Sequence, residues 1–469
     1  MIRSGRALLA SALTVLALGG ATAAAQEPVE PALGDAWMSP NVSYLGSIKQ
    51  DVGLTTGAKV IPSTGKGVPD KLFVTSGKNF TIYDISDPAH PKTMGTITHS
   101  LAWEGEEVPT NGRVLVISTD YYSVDSPECV QALAPDGCIQ IYDVSDPAHP
   151  VRTGVIPEAN HTAECALNCR YVYGSAGTIV DATDIHAPKK IGNWIDELAK
   201  QGVTEKSCHH IRELRPGILL SACMPFVAMS INAKDGGSPA HPVVLATGDS
   251  PRFVHSARWP RRGHDKFALI GGENNFTGRC ERNQSTFATY RAPKRLDGAG
   301  SKFVKIDEVA PVNGTYTDGN APAGELGCSV HWFQEHPTFR NGGLVALAEY
   351  ENGVKFLQVK PDGTIEQQGY FVAAASSASS PKWAPDGRTV YVVDYHRGLD
   401  IIRYNGDTYV PGAGGIVRHQ PGRVRGTSAA PPAVALAAAR RGESQLLSEL
   451  KTAGWFPGYC QLIAGRPHL

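Results

Sequence analysis

Histidines recur at matching places in the middle of the chain, each just before a β-rich stretch. The four segments read His161-Thr-Ala, His209-His210-Ile, His255-Ser-Ala and His331-Trp-Phe. A neutral imidazole is a common ligand of copper and zinc, and near neutral pH it can also serve in acid–base work. A protonated imidazole can instead bind an anion. These positions therefore form a candidate ligand set.

Carboxylates accompany the histidines at regular spacing. Glu273 lies 18 positions after His255, and Glu349 lies 18 positions after His331. Carboxylates that back imidazoles fix the ring orientation and the tautomer. The candidate ligand-binding residues are His161, His209, His210, His255, His331, Glu273, Glu349, Asp394 and Glu106. The five histidines of this set are the candidate metal ligands, for copper or zinc.

A ten-residue repeat indicates how these residues are positioned. Ile82-Tyr-Asp-Ile-Ser-Asp-Pro-Ala-His-Pro91 recurs almost unchanged as Ile141-Tyr-Asp-Val-Ser-Asp-Pro-Ala-His-Pro150, and more loosely from Ile179 to Pro188. The alternating start predicts a strand with one buried face. The Asp-Pro part ends that strand in a rigid turn, because proline donates no ladder hydrogen bond and the Asp can bond back onto the following backbone.

Repeats of several short strands at irregular intervals of about 40 to 60 residues are typical of propeller blades. Seven units can be followed, starting near Gly57, Glu106, His161, Cys208, Phe253, Cys328 and Ser379. The last unit lacks an outer strand, and residues 43–48 look like an outer strand with no blade of their own. The prediction is an all-β, seven-bladed β-propeller over residues 43–410, closed by its N-terminal strand.

The repeated motif resembles the LVIVD-repeat propeller proteins. The Asp-x-Ser-Asp-Pro-Ala-x-Pro turns carry the resemblance, and Val392-Val-Asp-Tyr-His-Arg-Gly-Leu-Asp-Ile401 is similar to the closing blade of that family. The resemblance implies an exported propeller and supplies no catalytic signature. In a propeller the inner strands all start at one mouth of the central channel, so the histidines are expected to meet there.

The two ends of the chain differ from this repeat. A positive start, an apolar run and the small residues before Gln26 predict a signal peptide over residues 1–25, removed on export. No later segment reaches the roughly 20 apolar residues of a membrane helix, so no membrane span is expected in the mature chain. Residues 411–469 are rich in Gly, Arg, Ala and Pro, and we expect a short helical or irregular C-terminal extension.

Composition and cysteines point to a secreted or periplasmic protein. The net charge of -1 provides no field for binding nucleic acid. Nine cysteines in an exported chain favour disulfides. Proximity suggests four pairs, which are Cys129 with Cys138, Cys165 with Cys169, Cys208 with Cys223, and Cys280 with Cys328.

The sequence leaves two functions open. The first is an exported binding or interaction protein, with a histidine-lined channel mouth as its site for a small ligand or an envelope protein. The second is a metal-dependent exported enzyme with copper or zinc, oxidoreductase-like. The histidines could also be polar filler in a water-lined channel. The familiar hydrolase, nucleotide and dinucleotide motifs do not occur in the sequence.

Overall fold

Antiparallel sheets follow one another along the chain, and their strands match the repeats of the sequence. In the computed structural model, the residues described are 36–48, 55–77, 79–98, 106–119, 129, 137–204, 208–250, 253–273, 286–309, 329–350, 352–373, 376–395 and 397–406. Within them the strands form seven sheets, so the predicted seven-bladed β-propeller is confirmed.

Each sheet is one blade, and we number the blades in chain order. Two strands precede the first blade, β1 (Ala36–Met38) and β2 (Val42–Ile48). Blade 1 contains β3 (Thr55–Ile61), β4 (Lys71–Ser76), β5 (Asn79–Asp84) and β6 (Lys92–Thr98). Blade 2 contains β7 (Val114–Ser118), β8 (Ile139–Asp143) and β9 (Val151–Ile156). Blade 3 contains β10 (Ala163–Ala166), β11 (Tyr171–Gly174), β12 (Thr178–Asp181) and β13 (Lys189–Asn193).

The second half of the ring is built in the same way. Blade 4 contains β14 (Cys208–Arg215), β15 (Ile218–Cys223), β16 (Phe226–Ser230) and β17 (Val243–Gly248). Blade 5 contains β18 (Val254–Arg258), β19 (Phe267–Gly272), β20 (Thr286–Arg291) and β21 (Val304–Val309). Blade 6 contains β22 (Phe333–Glu335), β23 (Gly343–Ala348), β24 (Val354–Val359) and β25 (Ile365–Ala373). Blade 7 contains β26 (Ala378–Trp383), β27 (Thr389–Asp394) and β28 (Gly398–Tyr404). The helical pieces described are Trp194–Ala199, the turn Pro260–Gly263 and a 3-10 turn, Ala233–Asp235.

The N-terminal strand closes the ring, as predicted. β2 pairs antiparallel with β28 from Val42 opposite Tyr404 to Ile48 opposite Leu399, which gives blade 7 its outer strand. One apolar cluster then joins Tyr391 and Leu399 of blade 7 to Leu72 of blade 1. β1 adds a fifth strand to blade 6, a strand that the sequence did not reveal. Joining both ends of the ring in one sheet protects an edge that would otherwise invite association.

The turns of the repeat attach blades 2 and 3 to the blades that precede them. The Asp87 side chain accepts a hydrogen bond from the Ala89 N–H and contacts the ring of His90, and the second copy repeats this geometry. The blade 2 turn packs at Pro147 against Gly95 of the outer strand β6. The next turn packs at Pro188 against Gly154 of β9. The repeat therefore encodes contacts between blades as well as a turn.

Three of the predicted disulfides are present, linking Cys129 with Cys138, Cys165 with Cys169, and Cys208 with Cys223. Cys280 and Cys328 lie outside the described residues, as do the predicted signal peptide and the predicted C-terminal extension. Within the part of the chain that the structure describes, no helix has the length and apolar character needed to cross a membrane.

Candidate functional site

β-bulges at the start of the inner strands orient the site residues. In blades 4 and 5 the strand register shifts between Cys208 and His210 and between Val254 and Ser256, so His209 and His255 are the extra residues. The same shift occurs in blades 1 and 7, at Thr56 and Ser379. Such bulges redirect single side chains out of the normal strand alternation. They therefore explain how His209 and His255 leave the strand alternation in their separate blades.

The imidazoles of four blades converge on one carboxylate, that of Glu106. Its Oε2 lies 3.9 Å from His161 Nε2, 3.7 Å from His209 Nε2 and 3.7 Å from His255 Nε2. Its Oε1 lies 3.4 Å from His331 Nε2. Adjacent rings of the histidines have centroids 3.7 to 4.7 Å apart. The structure thus brings together five of the predicted site residues, and all five are buried.

Backbone carbonyls orient two of these rings. His209 Nδ1 lies 3.0 Å from the His255 carbonyl oxygen, and His331 Nδ1 lies 2.9 Å from the Ser379 carbonyl oxygen. A carbonyl oxygen only accepts hydrogen bonds, so each Nδ1 is the protonated donor. In a neutral ring Nε2 then carries the lone pair, and that lone pair is directed toward Glu106. The Nε2 atoms of His209, His255 and His331 have no hydrogen-bond partner among the described residues.

Two aromatic side chains hold the Glu106 carboxylate. The Trp332 indole N–H donates to Oε2 at 3.1 Å, and the Tyr395 hydroxyl donates to Oε1 at 2.6 Å. Burial by itself raises the pKa of Glu106, but His331, His255 and His161 outweigh it and hold that pKa well below its usual range. Hydrogen bonds donated to a carboxylate also favour its charged form. Glu106 is therefore an anion at the centre of the histidines.

Burial keeps two of these histidines, His209 and His255, neutral. It lowers the pKa of His255 to about 3, helped by the nearby His331 and opposed by Glu106. Burial also holds the pKa of His209 well below its usual value, with His255 and His161 adding to the effect. Desolvation penalises the charged imidazolium because few dipoles are available to replace water. Neutral rings have the lone pair that a metal ion requires.

A second carboxylate borders the cluster. Glu273 Oε2 lies 4.0 Å from His255 Nε2, and Glu273 Oε1 accepts a hydrogen bond of 2.6 Å from the Tyr350 hydroxyl. Burial raises the pKa of Glu273 to about 7. The Tyr350 ring also packs on His331 with centroids 4.5 Å apart. The spacing of His255 and Glu273 in the sequence therefore corresponds to a real contact.

The remaining predicted residues make other contacts. Glu349 accepts a hydrogen bond of 2.8 Å from Asn352, and Asp394 accepts one of 2.7 Å from Ser376. The His210 ring packs edge-on against Trp332, with centroids 4.8 Å apart, on the side nearer Glu107 and Arg212. Burial lowers the pKa of His210 well below its usual value. The structure does not bring these three residues into the group around Glu106.

A cluster of opposite charges lies next to the histidines, one residue further along blade 2. Glu107 Oε1 is 2.8 Å from Lys382 Nζ and 3.4 Å from an Arg258 nitrogen, and its Oε2 is 3.1 Å from an Arg212 nitrogen. Arg258 also contacts Glu335 at 3.4 Å. Arg212, Arg258 and Lys382 each lie three positions after the bulged residue of their strand. They form a second layer in the channel.

Sequence reasoning missed several contributors to the site. Trp332, Tyr350, Tyr395 and Glu107 were not among the predicted residues. A charged or polar residue stands three positions after the inner-strand start in every blade except blade 2, and this recurrence was a usable signal for the second layer. Tyr350 and Tyr395 each follow the acidic residue at the end of a second strand, in Glu349-Tyr350 and Asp394-Tyr395, and this repeated pair was a usable signal for them.

The residues present suit a transition-metal ion. Two triads share one carboxylate, Glu106 with His161 and His209, and Glu106 with His255 and His331. Within each triad the ligand atoms lie within 4.8 Å of one another. Imidazole nitrogen with a single carboxylate oxygen is a donor set for zinc or copper rather than for calcium or magnesium.

Comparison with known repeat families supports the fold. The model of the LVIVD repeat family matches residues 72–99, which run from β4 through β6 of blade 1. No curated protein matches the chain. Among solved structures, a chain in "Crystal Structure of Mitotic Checkpoint Complex" is similar with a TM-score of 0.47 and 13% identity, over 85% of this chain and 99% of that one. A similarity at that level says nothing about function. The repeat match and the seven blades together confirm the resemblance predicted from the sequence.

Proposed function

We propose that this LVIVD-repeat β-propeller is an exported protein that binds one copper or zinc ion between Glu106 and the histidines of blades 3 to 6. The observation that carries the proposal is the position of the His209 lone pair, which faces a Glu106 carboxylate oxygen at 3.7 Å. A lone pair directed at an anion is repulsive unless a positive charge lies between them.

That positive charge must come from a proton or from a metal ion. A proton on His209 is disfavoured, because burial keeps the pKa of this histidine well below its usual value. Leaving buried polar atoms without partners costs about 1 to 3 kcal/mol for each group. A metal ion bound by several Nε2 atoms removes these costs together. Glu106 lies 3.7 Å from His255 Nε2 and supplies one negative charge, and Glu273, 4.0 Å from the same nitrogen, supplies a second when it is ionised.

Each residue has a distinct part in such a site. Glu106 and the four histidines would hold the ion, and the carbonyls of His255 and Ser379 would keep two rings in the required tautomer. Trp332 and Tyr395 would orient the Glu106 carboxylate. The ion would supply Lewis acidity and, in the case of copper, one-electron chemistry.

The architecture and the compartment agree with this proposal. A propeller with LVIVD repeats suggests an interaction protein. The disulfides that the structure describes support a secreted or periplasmic location, because such bonds persist in oxidising compartments. A small ligand or an envelope protein would reach the site at the mouth where the inner strands begin.

Metal content tests the proposal directly. Protein exported in its oxidised state is loaded with copper or with zinc, desalted and measured by elemental analysis, and we expect one ion per chain. Joint replacement His209→Ala with His255→Ala should abolish binding. The matched control replaces two exposed turn histidines, His90→Ala with His149→Ala, and should leave the ion in place.

Circular dichroism of both variants shows whether the propeller is intact. Metal-free wild-type protein after loading would refute the proposal. So would a control variant that loses the ion while the His209 and His255 variant retains it.

Redox catalysis with copper is the second candidate function. It is favoured by two phenols near the histidines, since Tyr395 bonds to Glu106 and Tyr350 packs on His331. Paramagnetic resonance of copper-loaded protein should then show the Cu(II) signal disappear with ascorbate and return in air. A signal that ascorbate leaves unchanged would restrict the site to binding.

A further inference from the structure

We infer that Glu107 is the positioning residue that holds Glu106 at the channel axis, by tying an irregular segment of blade 2 to three other blades. The inference rests on the proposed metal site. It assigns a function to the charge cluster around Glu107, because the metal proposal gives that cluster no part.

The backbone of blade 2 is irregular where it carries Glu106 and Glu107. Blade 2 has three strands, and the segment that replaces its inner strand contains only an isolated bridge from Thr110 to Leu115. The first backbone hydrogen bond of this segment is the one that the Val116 N–H donates to the Pro109 carbonyl oxygen. Among the described residues, Glu106, Glu107 and Val108 make no backbone hydrogen bond. The histidines of blades 4 and 5, by contrast, sit within paired strands. Glu106 needs another anchor.

The three cations around Glu107 come from three different blades. Arg212 comes from blade 4, Arg258 from blade 5 and Lys382 from blade 7, and all three reach Glu107 within 2.8 to 3.4 Å. The exposed fraction of Glu107 is 4%. Ion pairs in such a buried position are screened little by water, so removing one partner is costly. The three cations therefore hold the Glu107 side chain from several directions.

Because Glu107 is the neighbour of Glu106 in the chain, the position of Glu107 affects the metal site. Glu106 and Glu107 are consecutive residues of a bend. Because they share one peptide bond, fixing Glu107 among the cations also fixes the backbone from which the Glu106 side chain reaches the histidines. Trp332 and Tyr395 orient the Glu106 carboxylate, but they come only from blade 6 and from the loop after β27. The three cations, by binding Glu107, fix the backbone beside Glu106, whereas Trp332 and Tyr395 contact only the Glu106 carboxylate.

A matched set of variants tests the inference. Glu107→Gln alone leaves three cations without their carboxylate and could unfold the protein. The double variant Glu107→Gln with Lys382→Met removes one charge of each sign, so the net charge of the cluster is unchanged. The control is Glu335→Gln, which removes a different partner of Arg258 and leaves Glu107 tied to all three cations.

Two readouts separate positioning from stability. Competition titration gives the copper dissociation constant, and paramagnetic resonance gives the coordination signature. Loss of residues that orient metal ligands typically weakens binding about 10- to 100-fold. We expect that loss and an altered signature in the double variant. Its thermal midpoint should lie below that of the control, because Arg212 and Arg258 also lose Glu107, so both binding readouts are taken well below that midpoint. The control should bind copper within about threefold of wild type, since its Glu106 anchor is intact.

The outcomes distinguish the two proposals. Tight copper binding with an unchanged signature in the folded double variant would overturn the inference and leave the metal site standing. Equal weakening in the Glu335→Gln control would also overturn it, because general charge balance would then explain the effect. Wild-type protein that binds no copper or zinc would overturn the metal proposal and this inference with it.

Discussion

Replacing Gly95 by alanine should destabilise the propeller, although glycine-to-alanine changes in strands usually stabilise. Gly95 lies on the outer strand of blade 1, where the Asp-Pro-Ala-His turn of blade 2 packs against it. A Cβ built on Gly95 would overlap the carbonyl oxygen of Pro147 and lie 3.1 Å from the Ala148 Cα. These are backbone atoms, so the neighbouring turn must move as a unit.

The magnitude follows from a graded series of equivalent glycines. In blade 2, a Cβ on Gly154 would lie 2.6 Å from a ring carbon of Pro188. In blade 3, a Cβ on Gly192 would lie 3.5 Å from the Ala240 carbonyl oxygen, which is an ordinary contact. Overpacking costs about 1 to 3 kcal/mol, while the lost freedom of the unfolded chain returns about 0.4 to 1 kcal/mol. We expect a loss of about 2 to 3 kcal/mol for Gly95→Ala, about 1 kcal/mol for Gly154→Ala and none for Gly192→Ala.

Denaturant unfolding followed by tryptophan fluorescence measures the series in the oxidised protein. Gly192→Ala is the internal control, because it changes the same strand position without the clash. The midpoints should fall in the order Gly192→Ala, Gly154→Ala, Gly95→Ala. Equal midpoints for Gly95→Ala and Gly192→Ala would refute the view that these turns join the blades.

Three further predictions concern single groups near the channel. Burial raises the pKa of Glu349 to about 8. The folded state therefore holds a proton that the unfolded state has lost, and stability falls by several kcal/mol as pH rises from about 4.5 to about 8. Glu349→Gln should remove that slope in unfolding experiments across the range. His210 is buried and neither ring nitrogen has a hydrogen-bond partner among the described residues, so His210→Leu should raise the free energy of unfolding by about 1 kcal/mol and leave the metal content at one ion per chain. The Cys208–Cys223 disulfide closes the bulge that carries His209, so replacing both cysteines by serine should weaken copper binding about tenfold. The same change at Cys165 and Cys169 is the control, and equal effects of the two pairs would contradict this reasoning.

The ring could be predicted from the sequence because its signals are local. Each Asp-Pro turn marks the end of a third strand, and the unmatched strand at residues 43–48 indicates how the circle closes. β1 was missed, since three residues, Ala36–Met38, are too few to show alternation. The assignment of His161, His209, His255 and His331 to one mouth followed from the same local signals, because each stands just before an inner strand.

The contacts among site residues could not be predicted, since they depend on loop geometry. Glu273 and Glu349 share the same spacing from a histidine, yet only Glu273 is near one. The Glu349 backbone N–H donates to the Gly353 carbonyl, and this tight turn brings Asn352 beside the Glu349 carboxylate. Glu106 was predicted as one position of the ring, whereas the structure makes it the common centre. No pattern in blade 2 indicates this, because its inner segment is not a regular strand.

The family motif and the chemistry occupy opposite edges of the blades. The LVIVD-type residues lie on the third strand and the turn to the outer strand, where they join neighbouring blades. The site residues stand at the start of the inner strands, where bulges direct them to the axis. Blades 1 and 2 both keep the turn, yet blade 1 contributes no histidine to the site and blade 2 contributes Glu106. Blades 4 to 6 have lost most of the motif and contribute three histidines. The repeat match therefore agrees with the fold and does not constrain the residues at the channel. Function in such a propeller has to be derived from the inner strands of the individual chain.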